Sequence, residues 1–338
     1  MLQSLFRRTQ LSDRQERAVQ KTLSNLRKER RNRFRILACI DGTEEGFETV
    51  RLAARLAPND ECDIIIVFVR PIDQGLWSGG LQLRVARQNM LDAGFELPGL
   101  RDLKTALAIL KEEGIDADSW PKEAGHQDAW GDPLGDTKVE YKSPEGRVVV
   151  LKLKTAPDVA HGILDQYELG PYNLIIMGEP SSWRGEVGAW FSTGPVQRVT
   201  MLAPCSVLVA RKGLAKDGFF ICTDGTSRSM QGVRRAAVLA HVAGEPITLF
   251  AAADSEPGRP AAEEAVANAK ALLKAMQIPV AATRTAVGKP SKEIIEAGSP
   301  YKLIVVTDEG RSRLQRVFKG SLALTVVRKA RTSVLDVR

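Results

Sequence analysis

Short apolar runs separated by amphipathic stretches recur along most of the chain. Residues 36–41, 63–69 (DIIIVFV), 174–178, 206–210, 247–253 (ITLFAAA), 302–307 and 333–337 are too short for ordinary helices and are bounded by turn-forming residues. Such runs predict strands buried on both faces. Between them, helical spacing is read over about 44–57, 228–243, 260–276, 291–297 and 319–330. In the second of these, Val233, Ala236, Ala237, Leu239, Ala240 and Val242 supply an apolar face. A further strand is expected over about 279–287. Strands alternating with helices predict an α/β fold with a parallel sheet covered on both sides.

The pattern repeats. Ile36-Leu-Ala-Cys-Ile-Asp41-Gly42-Thr43 returns 183 positions later as Phe219-Phe-Ile-Cys-Thr-Asp224-Gly225-Thr226. Leu174–Gly178 is echoed by Leu303–Thr307 at an offset of 129, and Ser206–Arg211 by Ser333–Arg338 at an offset of 127. Ordered echoes mean two copies of one domain. The falling offset places 54 extra residues in the first copy before the second echo, and two more between the second and third. The expected boundaries are an arm over 1–34, a first domain over 35–212 with an insertion at about 71–146, and a second domain over 213–338. Within the insertion, 115–136 is rich in Asp, Gly, Pro and Trp and is expected to be loop. Residues 137–154 read as a hairpin turning at Pro144-Glu-Gly146, its second arm continuing as the third strand. Trp77, Trp120 and Trp130 are expected to cap a local hydrophobic cluster.

Charge separates the arm from the body. The 338 residues carry a formal +7, but residues 1–35 hold eleven Arg and Lys against Asp13, Glu16 and Glu29, leaving the remainder near −1. In the arm Val19, Leu23 and Leu26 recur with helical spacing, and Leu2, Leu5 and Phe6 share a face. Acidic lipid, nucleic acid or a partner helix are its functional readings. A solvated helix resting on the body, or pairing with its copy in a homodimer, is preferred. No apolar run approaches the roughly 18 residues that span a bilayer, and no signal peptide is read, so a cytoplasmic protein is expected. Cys39, Cys62, Cys205 and Cys222 lie far apart and, with only His126, His161 and His241, offer no zinc spacing. Reduced, buried thiols are expected.

The stretch Thr307–Ser321 (TDEGRSRLQRVFKGS) joins a buried strand to a helix start. Gly310 and Gly320 allow backbone N–H groups to approach an anion, Ser321 opens the helix, and Arg311, Arg313, Arg316 and Lys319 add positive charge. In an open parallel sheet, ligands sit at the carboxyl ends of strands where the order reverses. Asp224, with Gly225 and Thr226, would share that crevice. A strand-to-helix turn capped by Asp or Thr is the bland alternative for those three residues.

A strand-end Asp-Gly-Thr paired with such a loop and a final Ser-Val-Leu strand resembles the universal stress protein family, in tandem over about 34–338. Nucleotide-binding members carry G-x2-G-x9-G-(S/T) after the fourth strand. Gly310 and Gly320-Ser321 match it, and Thr307 replaces the first Gly. The resemblance implies two open parallel five-stranded sheets of order 3-2-1-4-5, Rossmann-like and akin to the adenine nucleotide alpha hydrolases. It further implies ATP or AMP as ligand, with or without Mg²⁺, and intramolecular pairing through the last strands. The first copy carries the weaker counterpart: Asp41, Gly178, Arg184, Thr193 and Gly194, with Ser181 for the second Gly and Pro195 removing an N–H. The second copy is therefore expected to be the main nucleotide site.

No nucleophile elbow, ordered Ser/His/Asp set or G-x-x-x-x-G-K-(S/T) loop is present. A non-enzyme is expected, with slow ATP hydrolysis at most. Two functional readings stand: a nucleotide-binding sensor acting on a protein partner, and a nucleotide-free structural or adaptor protein acting through the arm and the insertion.

Overall fold

A computed structural model describes residues 33–57, 59–71, 99–129, 132–168, 171–179, 194–211, 217–307 and 321–338, with Val85, Asn89 and Ala93 besides. The first repeat contributes β1 (Phe34–Ile40), α1 (Glu44–Arg55), β2 (Cys62–Pro71), α2 (Leu100–Glu112), β3 (Lys122–Ala129), β4 (Asp132–Lys142), β5 (Val148–Ala156), α3 (Val159–Glu168), β6 (Leu174–Gly178), α4 (Pro195–Leu202) and β7 (Ser206–Ala210). The second contributes β8 (Asp217–Cys222), α5 (Ser227–Val242), β9 (Ile247–Ala253), α6 (Arg259–Ala275), β10 (Ala282–Val287), α7 (Pro290–Gly298), β11 (Tyr301–Thr307), α8 (Leu322–Lys329) and β12 (Ser333–Val337).

Within each repeat the pairing is parallel and the order is 3-2-1-4-5: β5-β2-β1-β6-β7 in the first, β10-β9-β8-β11-β12 in the second. The two five-stranded sheets pair through their last strands, as the resemblance implied. β12 pairs antiparallel with β7, Leu335 opposite Leu208, so twelve described strands form one continuous sheet. Val334, Leu335 and Val337 are buried in that junction. Pairing two last strands removes two apolar edges that would otherwise template aggregation.

Helices cover both faces. α1, α2, α5 and α6 pack on one core, and α3, α4, α7 and α8 on the other. Strands such as Ile36–Ile40 are apolar at successive positions because both of their faces are buried. Of the expected insertion at 71–146, residues 100–112 form a helix that buries Leu103, Ala106, Ile109 and Leu110 against the sheet, as α6 does in the second repeat.

The turn-rich stretch 115–136 departs from the expected loop. β3 occupies Lys122–Ala129 and pairs antiparallel with β4, which pairs antiparallel with β5. An edge strand with one neighbour tolerates Gly125 and charged residues that a central strand would not. On one side the hairpin carries Val139 and Tyr141 into the core beside Trp120. Trp77 and Trp130 lie outside the described residues.

The repeats are further clasped by two arginines placed alike. The Arg211 N–H donates to Ser333 Oγ at 3.0 Å, and the Arg338 N–H to Ser206 Oγ at 3.1 Å. The Arg211 guanidinium reaches the Val327 and Thr332 carbonyls at the end of α8. The Arg338 guanidinium reaches the Thr200 and Ala203 carbonyls at the end of α4. Cations at helix carboxyl ends satisfy carbonyls that have no intrahelical partner and oppose the helix dipole. Glu179 is the counter-ion of Arg211 and Asp336 that of Arg338.

Candidate functional site

Both Asp-Gly-Thr turns are built by the same hydrogen bonds. Asp224 Oδ1 accepts from the Thr226 N–H at 3.0 Å and from its hydroxyl at 2.7 Å, and Thr226 Oγ1 accepts from the Ser229 N–H at 3.2 Å. In the first repeat Asp41 Oδ1 accepts from the Thr43 N–H at 3.1 Å and its hydroxyl at 2.6 Å, and Thr43 Oγ1 caps the Gly46 N–H at 3.0 Å. Gly42 and Gly225 take φ values of +82° and +79°, which explains the glycine between Asp and Thr. The threonines cap α1 and α5, so this motif is a helix start whatever else it does.

At the carboxyl ends of β8, β9 and β11 lies a cleft of about 320 Å³. Thr223, Asp224, Ser229, Asp254, Thr307 and Leu322 are among the residues lining it. Two carboxylates, Asp224 and Asp254, therefore stand at strand ends around one opening. Ser229 Oγ is within 2.8 Å of Thr223 Oγ1 and accepts the Asp224 N–H at 3.1 Å, tying the floor together. Ser321 is buried at the N-cap of α8, where its hydroxyl accepts from the Leu324 N–H at 3.4 Å. Cys222 also lines the cleft, and burial pushes its thiol far up, as it does the Cys39 thiol. Both are inert core groups rather than nucleophiles. All four cysteines are free and buried.

The replacement of glycine by Thr307 is matched elsewhere. A Cβ on Gly232 of α5 would come 2.0 Å from Thr307 Oγ1, so the threonine side chain fills the space that Gly232 leaves. The first repeat carries the glycine and the threonine at the exchanged positions. Gly178 ends β6, where a Cβ would come 2.6 Å from the Glu45 backbone, and Thr49 stands on α1 at the position of Gly232. Its hydroxyl bonds the Gly46 carbonyl at 2.6 Å.

The mouths of the two repeats differ. A Cβ on Gly42 would lie 3.2 Å from Asp102 Oδ1 of α2, whereas one on Gly225 would meet only Ala265 of α6, at 3.1 Å. Asp102 is held there by the Gly99 N–H at 3.2 Å. Asp41 and Gly46 are also pressed together, since a Cβ on Gly46 would come 2.3 Å from Asp41 Oδ1, where the second repeat has Ser229.

Of the residues expected to bind, Asp224, Gly225, Thr226, Thr307 and Ser321 lie around the second-repeat cleft or on its turn. Asp41 and Gly178 end neighbouring strands in the first repeat, and Gly194 precedes α4. Gly310, Arg311, Gly320, Arg184 and Thr193 lie outside the described residues. Sequence reasoning missed Ser229, Asp254, Asp102 and Gly232. Gly46 aligns with Ser229, and Thr49 with Gly232, at the offset of 183 that defines the repeat, so the aligned copies carried that signal.

A sequence profile of the Universal stress protein family matches residues 32–211 and 219–338. The chain belongs to that family. No curated protein matches it. Among solved structures, a universal stress protein from Archaeoglobus fulgidus DSM 4304 is 13% identical, covering 90% of this chain and 96% of its own, with a TM-score of 0.58. A putative universal stress protein from Pseudomonas aeruginosa UCBPP-PA14 is 12% identical, covering 92% and 94%, with a TM-score of 0.55. A shorter Archaeoglobus fulgidus universal stress protein, in complex with dAMP, is 17% identical over 37% of this chain and 100% of its own, with a TM-score of 0.30. At these identities the likeness to the two long structures is one of fold. Both extend over nearly the whole chain, so the tandem architecture is common to them and to this universal stress protein.

Proposed function

We propose that this universal stress protein is an adenine-nucleotide-binding regulatory protein whose second repeat carries the better site. The observation that supports this most is the cleft at the ends of β8, β9 and β11. It has carboxylates at one side, the α8 N-terminus at the other, and Ala265 where the first repeat places Asp102. Asp224 and Asp254 would hold base or ribose through hydrogen bonds to hydroxyl and amino groups. The backbone at Gly310, Gly320 and Ser321 would hold phosphates, with Arg311 balancing their charge. ATP or AMP, with or without Mg²⁺, is the ligand class. Binding would change what the tandem recruits.

The test is calorimetry of ATP and AMP with Mg²⁺ on the nucleotide-free chain, beside Gly320→Asp and Asp102→Ala. Micromolar binding lost in Gly320→Asp is expected. Asp102→Ala is expected to create or tighten a second event by about threefold to tenfold, because it removes a like charge from the first-repeat mouth. No binding to the chain sinks the reading. A nucleotide-free adaptor would then be preferred, a reading favoured by the two capping turns, in which Asp41 and Asp224 have structural roles without any ligand.

A further inference from the structure

Two clefts flank the β12–β7 junction on the face that carries α1 and α5, one beside each helix. They are equivalent under the repeat, but their helices differ. On α1, Arg55 is held by Glu113 through bonds of 2.9 and 3.0 Å. Its counterpart on α5, 183 positions on, is Val238, which is 45% exposed, and Val242 one turn later is 39% exposed. These and Val85 are the exposed large hydrophobic residues among those described. Val238 lines a cleft of about 770 Å³ together with Phe34, Leu174, Leu239 and Leu335, rimmed by Arg234 and Arg235.

We propose that the chain's own segment 1–32 docks on this α5 stripe and cleft. The segment joins the fold at the cleft itself. Arg33 is bonded to Asp63 at 2.9 Å, and Phe34, the next residue, is one of the lining side chains. The seven residues between Leu26 and Phe34 span up to about 25 Å when extended, enough to return a preceding helix to α5. The polarity of the two surfaces also matches. On a helix of 3.6 residues per turn, Val19, Leu23 and Leu26 fall in one stripe. In the part of the helix up to Leu26, Glu16 falls on one margin of the stripe, and Arg14, Arg17 and Lys21 on the far side. An apolar stripe with Glu16 on its margin thus meets an apolar stripe edged with Arg234 and Arg235. A second copy of α5 fits this surface less well, since pairing two valine stripes would bring like-charged Arg234 and Arg235 sets together. Docking in cis leaves the cationic side of the segment facing outward. The inference is independent of nucleotide binding.

Limited trypsin digestion of the full chain, followed by mass spectrometry, tests it. Val238→Asp/Val242→Asp changes exposed positions, and circular dichroism and Tm verify the fold. Cleavage within 1–32 is expected to rise about tenfold in this variant while cleavage elsewhere is unchanged, because the open population of the segment sets its cutting rate. Glu16→Gln, which creates no tryptic site, should raise cleavage as well. Equal cleavage of the segment in the parent chain and the valine variant overturns the proposal. So does a dimer by sedimentation that Val238→Asp dissociates, which would make a second copy the occupant.

Discussion

The two repeats solve the same local problem with opposite residues. Where the fourth strand of each repeat meets its first helix, the first repeat sets Gly178 against a helix bearing Thr49, and the second sets Thr307 against a helix bearing Gly232. The glycine lies on the strand in the first repeat, close to the Glu45–Gly46 backbone, and on the helix in the second, where Thr307 fills the space beside it. Close packing explains why a glycine conspicuous by its absence at 307 reappears on the neighbouring helix. The mouths differ in charge. Asp102 adds a carboxylate beside Gly42, whereas Ala265 stands beside Gly225, and among the described residues Asp224 and Asp254 are the carboxylates lining the second cleft. A duplicated fold can thus keep its packing in both copies while its two mouths diverge.

The largest expected effect breaks what the copies have in common, the arginine clasp. The Arg211 side chain is 1% exposed and its partner Glu179 is 24% exposed. Arg211→Ala leaves that carboxylate and the α8 carbonyls without their donor and is expected to cost about 3–5 kcal/mol. Urea unfolding followed by two probes, one per repeat, should show transitions that no longer coincide. Coincident transitions at an unchanged midpoint would mean that the β12–β7 pairing alone couples the repeats.

A smaller effect sharpens the reciprocal packing. Gly232→Ala places a methyl group where Thr307 Oγ1 sits and should destabilise by about 1–3 kcal/mol. Thr307→Gly in the same chain should recover most of the loss, recreating the first repeat's order in the second. A double-mutant cycle measures the coupling, and additive losses would show that the two sites relax independently.

The smallest effect is a pH dependence confined to the first repeat. Asp158 precedes α3, where Lys289 precedes α7 in the second repeat. A burial penalty that would raise the Asp158 carboxyl is outweighed by hydrogen bonds from the His161 N–H and ring and from Arg198, which hold it well below the ordinary carboxylate range. A depressed carboxyl contributes stability that is present above its unfolded value of about 4 and is lost as pH falls through the folded value. Asp158→Asn should therefore lower Tm slightly above about pH 5, with the gap to the parent chain closing in acid. A gap independent of pH would assign the effect to the helix cap instead.

The strands, the helices and the duplication were legible because they rest on local period and on echoes within the chain. The helical start at Thr226 was legible too, since Asp-Gly-Thr is a capping turn in either reading. β3 was not. Its Gly125 and Asp128, between Pro121 and Pro133, read as loop, and only its place at the edge of a sheet makes it a strand. Asp102 and Asp254 were missed because each lies far in sequence from the turn it faces, on α2 and at the end of β9 respectively. Gly232 was missed because its meaning depends on Thr307 across a helix–strand contact.

The sequence by itself determined the α/β class, the two copies and the basic N-terminal segment, from periodicity, composition and repeated motifs; the order 3-2-1-4-5 was implied only by the family resemblance that those motifs carried. Tertiary structure decided the antiparallel register in which β7 and β12 meet, that Thr307 packs on Gly232, and that Asp102 stands in one mouth and not the other. Those outcomes depend on which side chains meet across distances of tens to hundreds of residues. Such meetings are set by the packing of whole elements, which local pattern does not encode.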